Sequence, residues 1–398
     1  MAHRQISVAL ATLVWWAGMA GSVGAQANPE WIRVAVVQDD PQVTLQIRGG
    51  FTISALQTGE RIQQGSRLHP TDVRAVADGL AWGERVLPVF GVRVEPVRDA
   101  TITLNGQRLR GTLEIVRNQQ LKLLVVNHVA LEDYLQGVLS KEMPHYWPME
   151  ALKAVAITAR TYAVYQRLTK EGLDYDVTGD VMSQDYGGRS AEKGQTTRAV
   201  KFTRGLVLTT AQGQIFPPFY HSTCGGLTED AVVMGSFDLA PLKGRVACAF
   251  CRESPFYRWV QQLSPADVAW ALKQQGRGSF WPVEDMQVSA FSPTGRVATV
   301  RIRSASGREL TLSGYEFRKL FGFERIRSTA FAIVRAGDQF VLQGHGWGHG
   351  VGLCQWGSAE LARRGLSAEE IVHVYYPTAE LARLGESDLQ PIPVQEGM

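Results

Sequence analysis

The chain has 398 residues, of which 45% are hydrophobic and 20% are charged, a composition typical of a folded protein with a large core. Its formal net charge of +3 is too small to indicate a nucleic-acid partner, although it is compatible with an anionic polymer. After the amino terminus, no apolar stretch reaches the about 20 residues that a membrane-spanning helix requires. These totals predict a folded protein with no nucleic-acid partner and no membrane span beyond its amino-terminal segment.

The amino terminus has the pattern of a signal peptide. Arg4 precedes an apolar run from Ile6 to about Ala20, and small residues follow it. An uncleaved membrane anchor is the alternative, but the run is shorter than the about 20 residues of a span. We therefore expect residues 1–27 to be removed and the protein to be exported to the periplasm, the cell envelope or the medium.

Residues 28–123 have the pattern of a β-rich segment. Short runs such as WIRVAVV and QVTLQIRG are rich in Val, Ile, Leu and Thr, and Gly, Asn and Asp separate them. Asn105 and Gly106 predict a tight hairpin turn. No catalytic constellation is visible here.

Two helices are predicted next. Apolar residues recur at helical spacing over about 131–142, and Pro144 disfavours helix at the residue before it. Pro148 suits the start of a second helix, which runs to about Lys170. Apolar residues surround most of this second helix, so we expect it to be largely buried.

The rest of the chain mixes shorter elements. We predict strands within 205–226 and 287–305, and a helix at about 264–275. A Gly-rich stretch, GHGWGHGVGLCQWG, leads into a helix at SAELARR, and Ser367 with Glu370 forms a capping box for a last helix. We expect residues 381–398 to be a disordered tail. The predicted fold is α+β: β-rich, with mixed sheets, a small central helical unit and a β-rich amino-terminal segment.

Glu142 is the candidate catalytic residue. If it closes the helix at 131–142, the negative end of the helix dipole disfavours its ionised form. Partial burial beside Met143, Tyr146 and Trp147 acts in the same direction. Both effects raise the pKa of the carboxyl, as a general acid near neutral pH requires. The alternative is an exposed helix-end glutamate without a catalytic role.

Lys153 and Arg160 lie two turns apart on the second helix, so they share a face with a separation of roughly 10 Å. A buried Arg160 needs an acceptor, which could be Glu142, Glu132 or a substrate. The alternative is that both basic groups extend to solvent from a partly buried helix.

The Gly-rich stretch favours an irregular loop to which a ligand can approach closely, because glycine adopts positive φ without strain. Flat and hydrogen-bonding side chains of the kind that bind sugars occur in it at His345, Trp347, His349, Gln355 and Trp356. His345 and His349 have the spacing of zinc metalloproteases, but the intervening Glu is missing and the glycines disfavour a helix, so we exclude that class. A structural loop with buried histidines is the alternative.

Two short motifs add polar residues. FYHSTCGGLTED contains His221 and Ser222, but the GxSxG pattern of serine hydrolases is absent. SQDYGG contributes Gln184 and Tyr186. Neither motif alone predicts a reaction.

All four cysteines lie in the second half of the chain, at positions 224, 248, 251 and 354. Cys248 and Cys251 form a CxxC pair, and His221 lies three residues before Cys224. A zinc site made of His221, Cys224, Cys248 and Cys251 is one interpretation. Disulfides, which suit an exported protein, are the other.

Four segments in order carry a resemblance to a known family: VVNHVALEDYLQGVLSKEMPHYWPMEALKAVAITARTYAV, SQDYGG, FYHSTCGGLTED and GHGWGHGVGLCQWGSAELARRG. Together they resemble the stage II sporulation protein D and amidase enhancer (SpoIID/LytB) family. The resemblance covers about residues 125–378 and implies a catalytic domain at 124–380. The β-rich segment before it is similar to the variable amino-terminal part of many members.

The resemblance implies a lytic transglycosylase that cleaves peptidoglycan glycan strands between N-acetylmuramic acid and N-acetylglucosamine, preferably strands stripped of stem peptides. The glutamate of the EMP motif, here Glu142, would protonate the glycosidic oxygen and then assist attack of the sugar's own 6-hydroxyl on C1. The product is a 1,6-anhydro sugar. One carboxylate suffices, because the internal hydroxyl replaces the second group of ordinary glycosidases. Glu132, Asp133 and Glu150 are the other carboxylates expected nearby.

The resemblance also implies that Lys153 and Arg160 orient the glutamate or the sugar. The expected substrate-binding residues are Lys153, Arg160, Gln184, Tyr186, His221, Ser222, His345, Trp347, His349 and Gln355. No cofactor is expected to be required, and a structural zinc is the one candidate, since some members carry zinc near the HSxxGG motif. The expected partners are peptidoglycan strands and a cell-wall amidase. A non-catalytic glycan-binding enhancer of an amidase is the alternative function, and a zinc-dependent amidase is a third.

Overall fold

The architecture is that of a computed structural model, which describes residues 30–235, 238–385 and 389–392. Within these residues, long antiparallel strands come first, a group of helices follows, and smaller sheets complete the chain. This arrangement confirms the α+β class with a β-rich amino-terminal segment. The predicted signal peptide, residues 1–27, lies outside the described residues. None of the described helices is both long enough and apolar enough to cross a membrane.

A large, mainly antiparallel sheet occupies the amino-terminal segment. Its strands are β1 (Trp31–Asp40), β2 (Gln42–Ala55), β3 (Arg61–Val76), β4 (Gly79–Trp82), β5 (Arg85–Leu87), β6 (Gly91–Pro96), β7 (Thr101–Leu104), β8 (Gln107–Leu109), β9 (Thr112–Arg117), β10 (Leu123–Ala130) and β11 (Val177–Thr178). In β2, Val43, Leu45 and Ile47 are buried and alternate with less buried residues, as expected of a half-buried strand. Asn105 and Gly106 have positive φ and join β7 to β8, which confirms the predicted hairpin.

Two consecutive helices, α1 (Leu131–Glu142) and α2 (Met149–Thr169), follow this sheet. The other helices are α3 (Gly188–Ala191), α4 (Gly194–Phe202), α5 (Pro265–Gln274), α6 (Gly314–Phe321), α7 (Gln355–Arg363) and α8 (Ala368–Tyr375). Short 3-10 helices lie at Ala231–Met234, Ala240–Leu242, Ala249–Cys251 and Gly278–Phe280. α2 packs against α1, α4, α7 and α8, which explains why it is buried on most sides, as predicted. The capping box of α8 is also confirmed.

Small sheets make up most of the rest. Their strands are β12 (Leu206–Thr209) with β21 (Glu380–Arg383), β13 (Tyr220–His221) with β20 (Leu353–Cys354), β14 (Arg258–Leu263) with β19 (Gln339–His345) and β18 (Phe331–Ala336), and β15 (Val283–Phe291) with β16 (Val297–Ser304) and β17 (Glu309–Ser313). The β12–β21 pair includes residues that we predicted to be in a disordered tail. Leu381 pairs with Leu208, and Ile392 N–H donates to Ile215 O at 2.9 Å. Residues 381–385 and 389–392 are therefore ordered by backbone hydrogen bonds to the region of β12. No local sequence signal predicts this pairing.

Two hydrophobic cores divide the described chain. The first runs from the amino-terminal sheet through α1 and α2 to α7 and α8. The second lies between Trp259 and Leu342 and is enclosed by β14–β19, α5 and α6. We call residues 258–345 the inserted unit, because the chain on both sides of it belongs to the first core. The cores thus divide the chain differently from the expected single domain at 124–380, and β10 belongs to the amino-terminal sheet.

Candidate active site

Glu142 is the last residue of α1 and lines a groove, with its side chain partly exposed. Burial raises the pKa of its carboxyl, and the negative charge of Asp185 raises it further. The carbonyl end of α1 also disfavours the ionised form. Glu142 thus has a pKa shifted in the direction that the sequence predicted and that a general acid requires.

Three hydrogen-bond donors surround the Glu142 carboxylate. The Asp185 N–H donates to Oε1 at 3.1 Å, and Gln355 Nε2 donates to Oε2 at 3.4 Å. The Tyr220 hydroxyl is the third donor, and all three interactions lower the pKa of Glu142 against the effect of burial. Because burial favours the acid and the donors favour the carboxylate, this group is suited both to give and to take a proton.

Gln184 supports this arrangement from behind the groove. It is only 1% exposed, its Nε2 donates to the Tyr220 hydroxyl oxygen at 3.0 Å, and its Oε1 accepts from the Tyr134 hydroxyl at 3.0 Å. Since the Tyr220 oxygen accepts from Gln184, its own hydrogen is available to Glu142. Gln184 therefore orients the Tyr220 hydroxyl and is not among the residues that line the groove, where we expected a sugar contact.

Asp185 is a second carboxylate beside Glu142 that the sequence analysis missed. It forms an ion pair with Lys141 at 3.2 Å, and both residues line the groove. The carboxylates expected nearby are bound elsewhere, Glu132 by Arg160, Asp133 by Gln136 and Glu150 by Lys153. The carboxylate next to the candidate acid therefore comes from the SQDYGG motif.

The two loop motifs meet through their backbones. β13 and β20 pair in parallel, and Thr223 and Trp347 exchange two backbone hydrogen bonds of 3.0 and 2.8 Å. Gly348 has φ of +114°, and a Cβ there would lie 2.7 Å from the His221 Cβ. The alternating glycines are thus required by this close contact as well as by the turn.

His221 and His349 are neutral side chains in the groove wall, His221 buried and His349 half-buried. Val351 N–H donates to His349 Nδ1 at 3.0 Å, so His349 Nε2 carries the proton and donates to Tyr220 O at 2.9 Å. Burial lowers the pKa of His349 to about 4 and that of His221 well below its ordinary value. His221 Nδ1 lies 3.0 Å from Val351 O, and its Nε2 has no hydrogen-bond partner among the described residues. Because His221 Nδ1 donates to that carbonyl, Nε2 is the acceptor nitrogen of the ring, and it is buried from solvent.

The groove has a volume of about 430 Å³, within the usual range of small-ligand sites. The predicted site residues that line it are Glu142, His221, Ser222, Trp347, His349 and Gln355. Trp347 packs edge-on against Phe256 with ring centroids 4.3 Å apart, which fixes its orientation. The structure thus brings together the EMP, HST and GHGWGHG motifs.

Lys153 and Arg160, expected to orient the acid or the sugar, lie away from the groove. Arg160 is fully buried and binds both oxygens of Glu132, each at 2.9 Å. Lys153 binds Glu150 at 2.7 Å and lies over the Phe202 ring. Arg160 holds helices together, and the structure gives neither residue a route to the ligand.

Tyr186 and His345 also lie outside the groove lining. Tyr186 is buried, its hydroxyl donates to Asn127 at 3.1 Å, and its ring packs against Gly137 of α1. His345 is exposed at the end of β19 beside Tyr257. Their motifs are near the site, but these two side chains point elsewhere.

One wall of the groove was not predicted from the sequence. Tyr315, Arg318 and Phe323 of the inserted unit line it together with Glu142. No motif marks them, since α6 has the pattern of an ordinary amphipathic helix. Tyr220 was likewise missed, although it precedes His221 directly.

The four cysteines form a buried cluster in which all the sulfur atoms lie within 4.8 Å of one another. Cys354 joins the three cysteines that we expected, whereas His221 is not part of the group. A tetrahedral zinc site with Zn–S bonds of about 2.3 Å places sulfurs about 3.8 Å apart. The cluster is thus of the size of a four-cysteine zinc site.

The surroundings of the cluster fit a metal–thiolate centre. The N–H groups of Cys224 and Gly357 each point to Cys354 Sγ, at 3.3 and 3.4 Å. Arg296 is buried beside the cysteines, with Nη2 on Cys224 O at 2.6 Å and Nη1 without a hydrogen bond among the described residues. A cation there balances the negative charge of thiolates.

Two family models match the chain. The one described as Stage II sporulation protein (SpoIID) matches residues 119–210, which contain Glu142 and Asp185. The other, described as a domain of unknown function (DUF8618), matches residues 249–352, which contain the inserted unit. Residues of both matched ranges line the groove.

Known relatives extend this likeness. The chain is 31% identical to Stage II sporulation protein D of Bacillus amyloliquefaciens over 276 residues, which are 65% of this chain and 75% of that protein. It is 29% identical over 357 residues to an uncharacterized protein of Brachyspira hyodysenteriae, covering 89% and 94%. It is 26% identical over 289 residues to the Amidase enhancer of Bacillus subtilis, covering 62% and 40%. The chain therefore belongs to the stage II sporulation protein D and amidase enhancer family, as its motifs predicted.

Proposed function

We propose that the protein is a peptidoglycan lytic transglycosylase of the cell wall. The observation that carries the proposal is Glu142, a carboxyl with a raised pKa at the wall of an open groove, with donors already placed for its ionised form. Membership of a family that includes a sporulation protein and an amidase enhancer supports a cell-wall role.

The first chemical step is protonation. Glu142 gives its proton to the oxygen that joins C1 of N-acetylmuramic acid to O4 of N-acetylglucosamine, and the C1–O4 bond breaks with its electron pair on that oxygen. Positive charge develops at C1 and negative charge remains on Glu142. The Tyr220 hydroxyl, Gln355 Nε2 and the Asp185 N–H stabilise this carboxylate, and as preformed donors they cost little reorganisation.

The second step closes the ring. The Glu142 carboxylate takes the proton of the muramic acid 6-hydroxyl, and O6 forms a bond to C1. The product is a 1,6-anhydro end, Glu142 regains its proton, and no water is consumed. Asp185, paired with Lys141, raises the pKa of Glu142 and keeps it protonated before the first step. Trp347 supplies an apolar face for a sugar ring at the wall of the groove.

We also propose that Cys224, Cys248, Cys251 and Cys354 hold a structural zinc ion, which would cross-link loops and take no part in the reaction. Cys354 directly precedes Gln355, whose side chain contacts Glu142. The metal would thus fix the start of α7 and, through it, one donor to the acid.

The compartment and partners follow from the same proposal. Its substrate lies outside the plasma membrane, so the segment 1–27 would direct export. A cell-wall amidase is the natural partner, since it would remove stem peptides and leave bare strands. Interaction with such an amidase is also the core of the alternative function, a glycan-binding enhancer that does not cleave.

The test is digestion of purified peptidoglycan, with and without stem peptides, by the wild type and Glu142→Gln, with products read by mass spectrometry. Glu171→Gln is the matched control, because Glu171 is exposed and is not among the residues that line the groove. We expect anhydro-ended fragments from the wild type and the control only, with a loss of about 10²–10⁴-fold in rate for Glu142→Gln.

Other outcomes would change the assignment. Fragments with ordinary reducing ends would indicate hydrolysis, with Asp185 as the second carboxylate of a two-carboxylate mechanism. Glycan binding without any release, equal in wild type and Glu142→Gln, would favour the enhancer. Release of peptides that stops on chelation would indicate a zinc-dependent amidase.

A further inference from the structure

Arg318 is a buried cation in the groove wall without an acidic partner. It is 4% exposed, and no carboxylate among the described residues forms an ion pair with it, although the exposed Glu324 lines the same groove. The other lysine or arginine in the groove lining, Lys141, is paired with Asp185. A buried charge without a counterion is costly, so an unpaired arginine at a ligand groove points to an anionic ligand.

The guanidinium of Arg318 is fixed in place. Its Nε donates to Ile326 O at 2.9 Å, and its Nη2 donates to Arg327 O at 2.7 Å. No hydrogen bond of Nη1 is found within the described part of the chain. Burial and the nearby charge of Arg296 lower the pKa of Arg318 to about 10, so it remains charged at neutral pH. Two of its five N–H groups thus hold the guanidinium in place, and both N–H groups of Nη1 remain for a ligand.

Two aromatic rings lie beside this charge. Arg318 Cζ is 4.9 Å from the Phe323 ring centroid, and the Phe323 and Tyr315 rings are 5.7 Å apart at an angle of 40°. Tyr315 is 43% exposed and lines the groove together with Phe323. Aromatic faces pack against the apolar faces of sugar rings. The ligand that fits is a sugar carrying a carboxylate.

N-acetylmuramic acid carries a lactyl group at O3. In a strand with stem peptides, this carboxyl forms the amide bond to the peptide and has no charge. It becomes a free carboxylate when the peptide is removed. A stripped strand is therefore the form of the polymer that presents an anion at the sugar ring itself.

We propose that Arg318, with Tyr315 and Phe323, forms a subsite for the free lactyl carboxylate of peptide-stripped N-acetylmuramic acid. This subsite rests on the proposed function for the identity of the polymer. In this proposal the inserted unit selects strands without stem peptides, and Glu142, on the other part of the groove, carries out the chemistry. The carboxylates of stem peptides are the other source of the same chemistry.

The experiment measures binding in the Glu142→Gln background, so that its outcome does not depend on cleavage. The ligands are a stripped tetrasaccharide of alternating N-acetylglucosamine and N-acetylmuramic acid, the same molecule with its lactyl carboxyls converted to methylamides, its peptide-bearing form, and chitotetraose. We expect the free acid to bind roughly tenfold or more tightly than the methylamide, because a charge-assisted hydrogen bond is lost. In Arg318→Gln this ratio is expected to fall to about one.

Two further variants protect the test against a folding defect at Arg318. Tyr315→Glu places a carboxylate beside Arg318 from an exposed position and is expected to abolish the preference for the free acid. Arg325→Gln is the matched control and is expected to keep it, since Arg325 is exposed, outside the groove lining, and near Asp267 at 3.7 Å.

The outcomes separate the two proposals. The subsite is overturned if the protein binds the free acid and the methylamide with equal affinity. It is also overturned if the preference for the free acid survives Arg318→Gln and Tyr315→Glu. Both results leave the transglycosylase proposal intact. Tighter binding of the peptide-bearing form than of the stripped acid overturns it in favour of a peptide carboxylate. No binding of any glycan overturns both.

Discussion

The two walls of the groove belong to different hydrophobic cores, and their charged groups differ in whether they have partners. On the wall of the first core, the Glu142 carboxylate has three donors and Asp185 has Lys141. On the wall of the inserted unit, Arg318 is buried without a carboxylate partner among the described residues, next to exposed Tyr315. The charged groups of the first wall thus have partners without a ligand, as preorganised proton transfer requires. The charged group of the second wall has no counterion.

The cysteine cluster lies at the junction of these two parts. Three cysteines precede the inserted unit in the chain, and Cys354 follows it. A metal ion held by all four would therefore join both ends of the inserted unit to the first core. Such an ion would constrain the relative position of the two walls.

Removing the proposed zinc ion is expected to have the largest effect. Zinc binding contributes about 10–16 kcal/mol in small zinc domains, so chelation or Cys248→Ser should cost several kcal/mol of stability and detach the second wall. Metal analysis should find one zinc per chain, and added zinc should restore the melting temperature after chelation. Disulfides would instead be indicated by three results together: no bound metal, no titratable thiols, and a melting temperature that chelator does not change.

Phe317→Ala tests whether the two cores are independent. Phe317 is fully buried in the second core against Phe331 and Phe321, and its truncation should cost about 3–5 kcal/mol. Hydrogen exchange should then increase in β14–β19 and stay slow in α1 and α2. Phe51→Ala is the counterpart in the first core and should give the reverse pattern. Equal loss of protection in both regions would mean one cooperative unit.

Tyr220→Phe tests the preorganised wall. It removes a donor that lowers the pKa of Glu142 and leaves a donor of Gln184 without its acceptor. We expect about a tenfold loss of kcat/KM, from about 1.4 kcal/mol. The pH at which activity falls on the alkaline side should move upward, because the acid form of Glu142 persists longer. Tyr162→Phe, on the same groove, is the control and should leave that pH unchanged.

Asp185→Asn is expected to have the smallest effect on activity. Its shift of the pKa of Glu142 should be opposite to that of Tyr220→Phe. It removes a negative charge that raises the pKa of Glu142 and keeps the backbone donor in place. The alkaline limb of the pH–rate profile should therefore move downward, while the products stay anhydro-ended. A complete loss of activity would instead assign Asp185 a direct role in the chemistry.

Much of the local structure could be predicted from the sequence. The boundaries of α1 and α2 follow from Pro144 and Pro148, the turn at 105–106 from Asn-Gly, and the start of α8 from its capping box. These signals act within a few residues, so no knowledge of distant contacts is needed. The family membership and the position of Glu142 at a helix end could be predicted from the sequence for the same reason.

The roles of individual polar residues were less predictable. Arg160 and Tyr186 lie in motifs of the family, yet both side chains are buried in packing contacts away from the groove. Asp185, one residue before Tyr186, lines the groove instead. A motif locates a segment near a site, but the direction of each side chain depends on what packs against it.

The sequence by itself determined the elements, the family and the candidate acid of this protein, because helix ends, turns and motifs are local features. Only the tertiary structure decided that Asp185, Gln355 and Tyr220 meet at Glu142, that Cys354 completes the cysteine cluster, and that Arg318 faces the same groove. These residues lie far apart in the chain. Their meeting results from the burial of two cores and the pairing of β13 with β20, which no short stretch of sequence encodes.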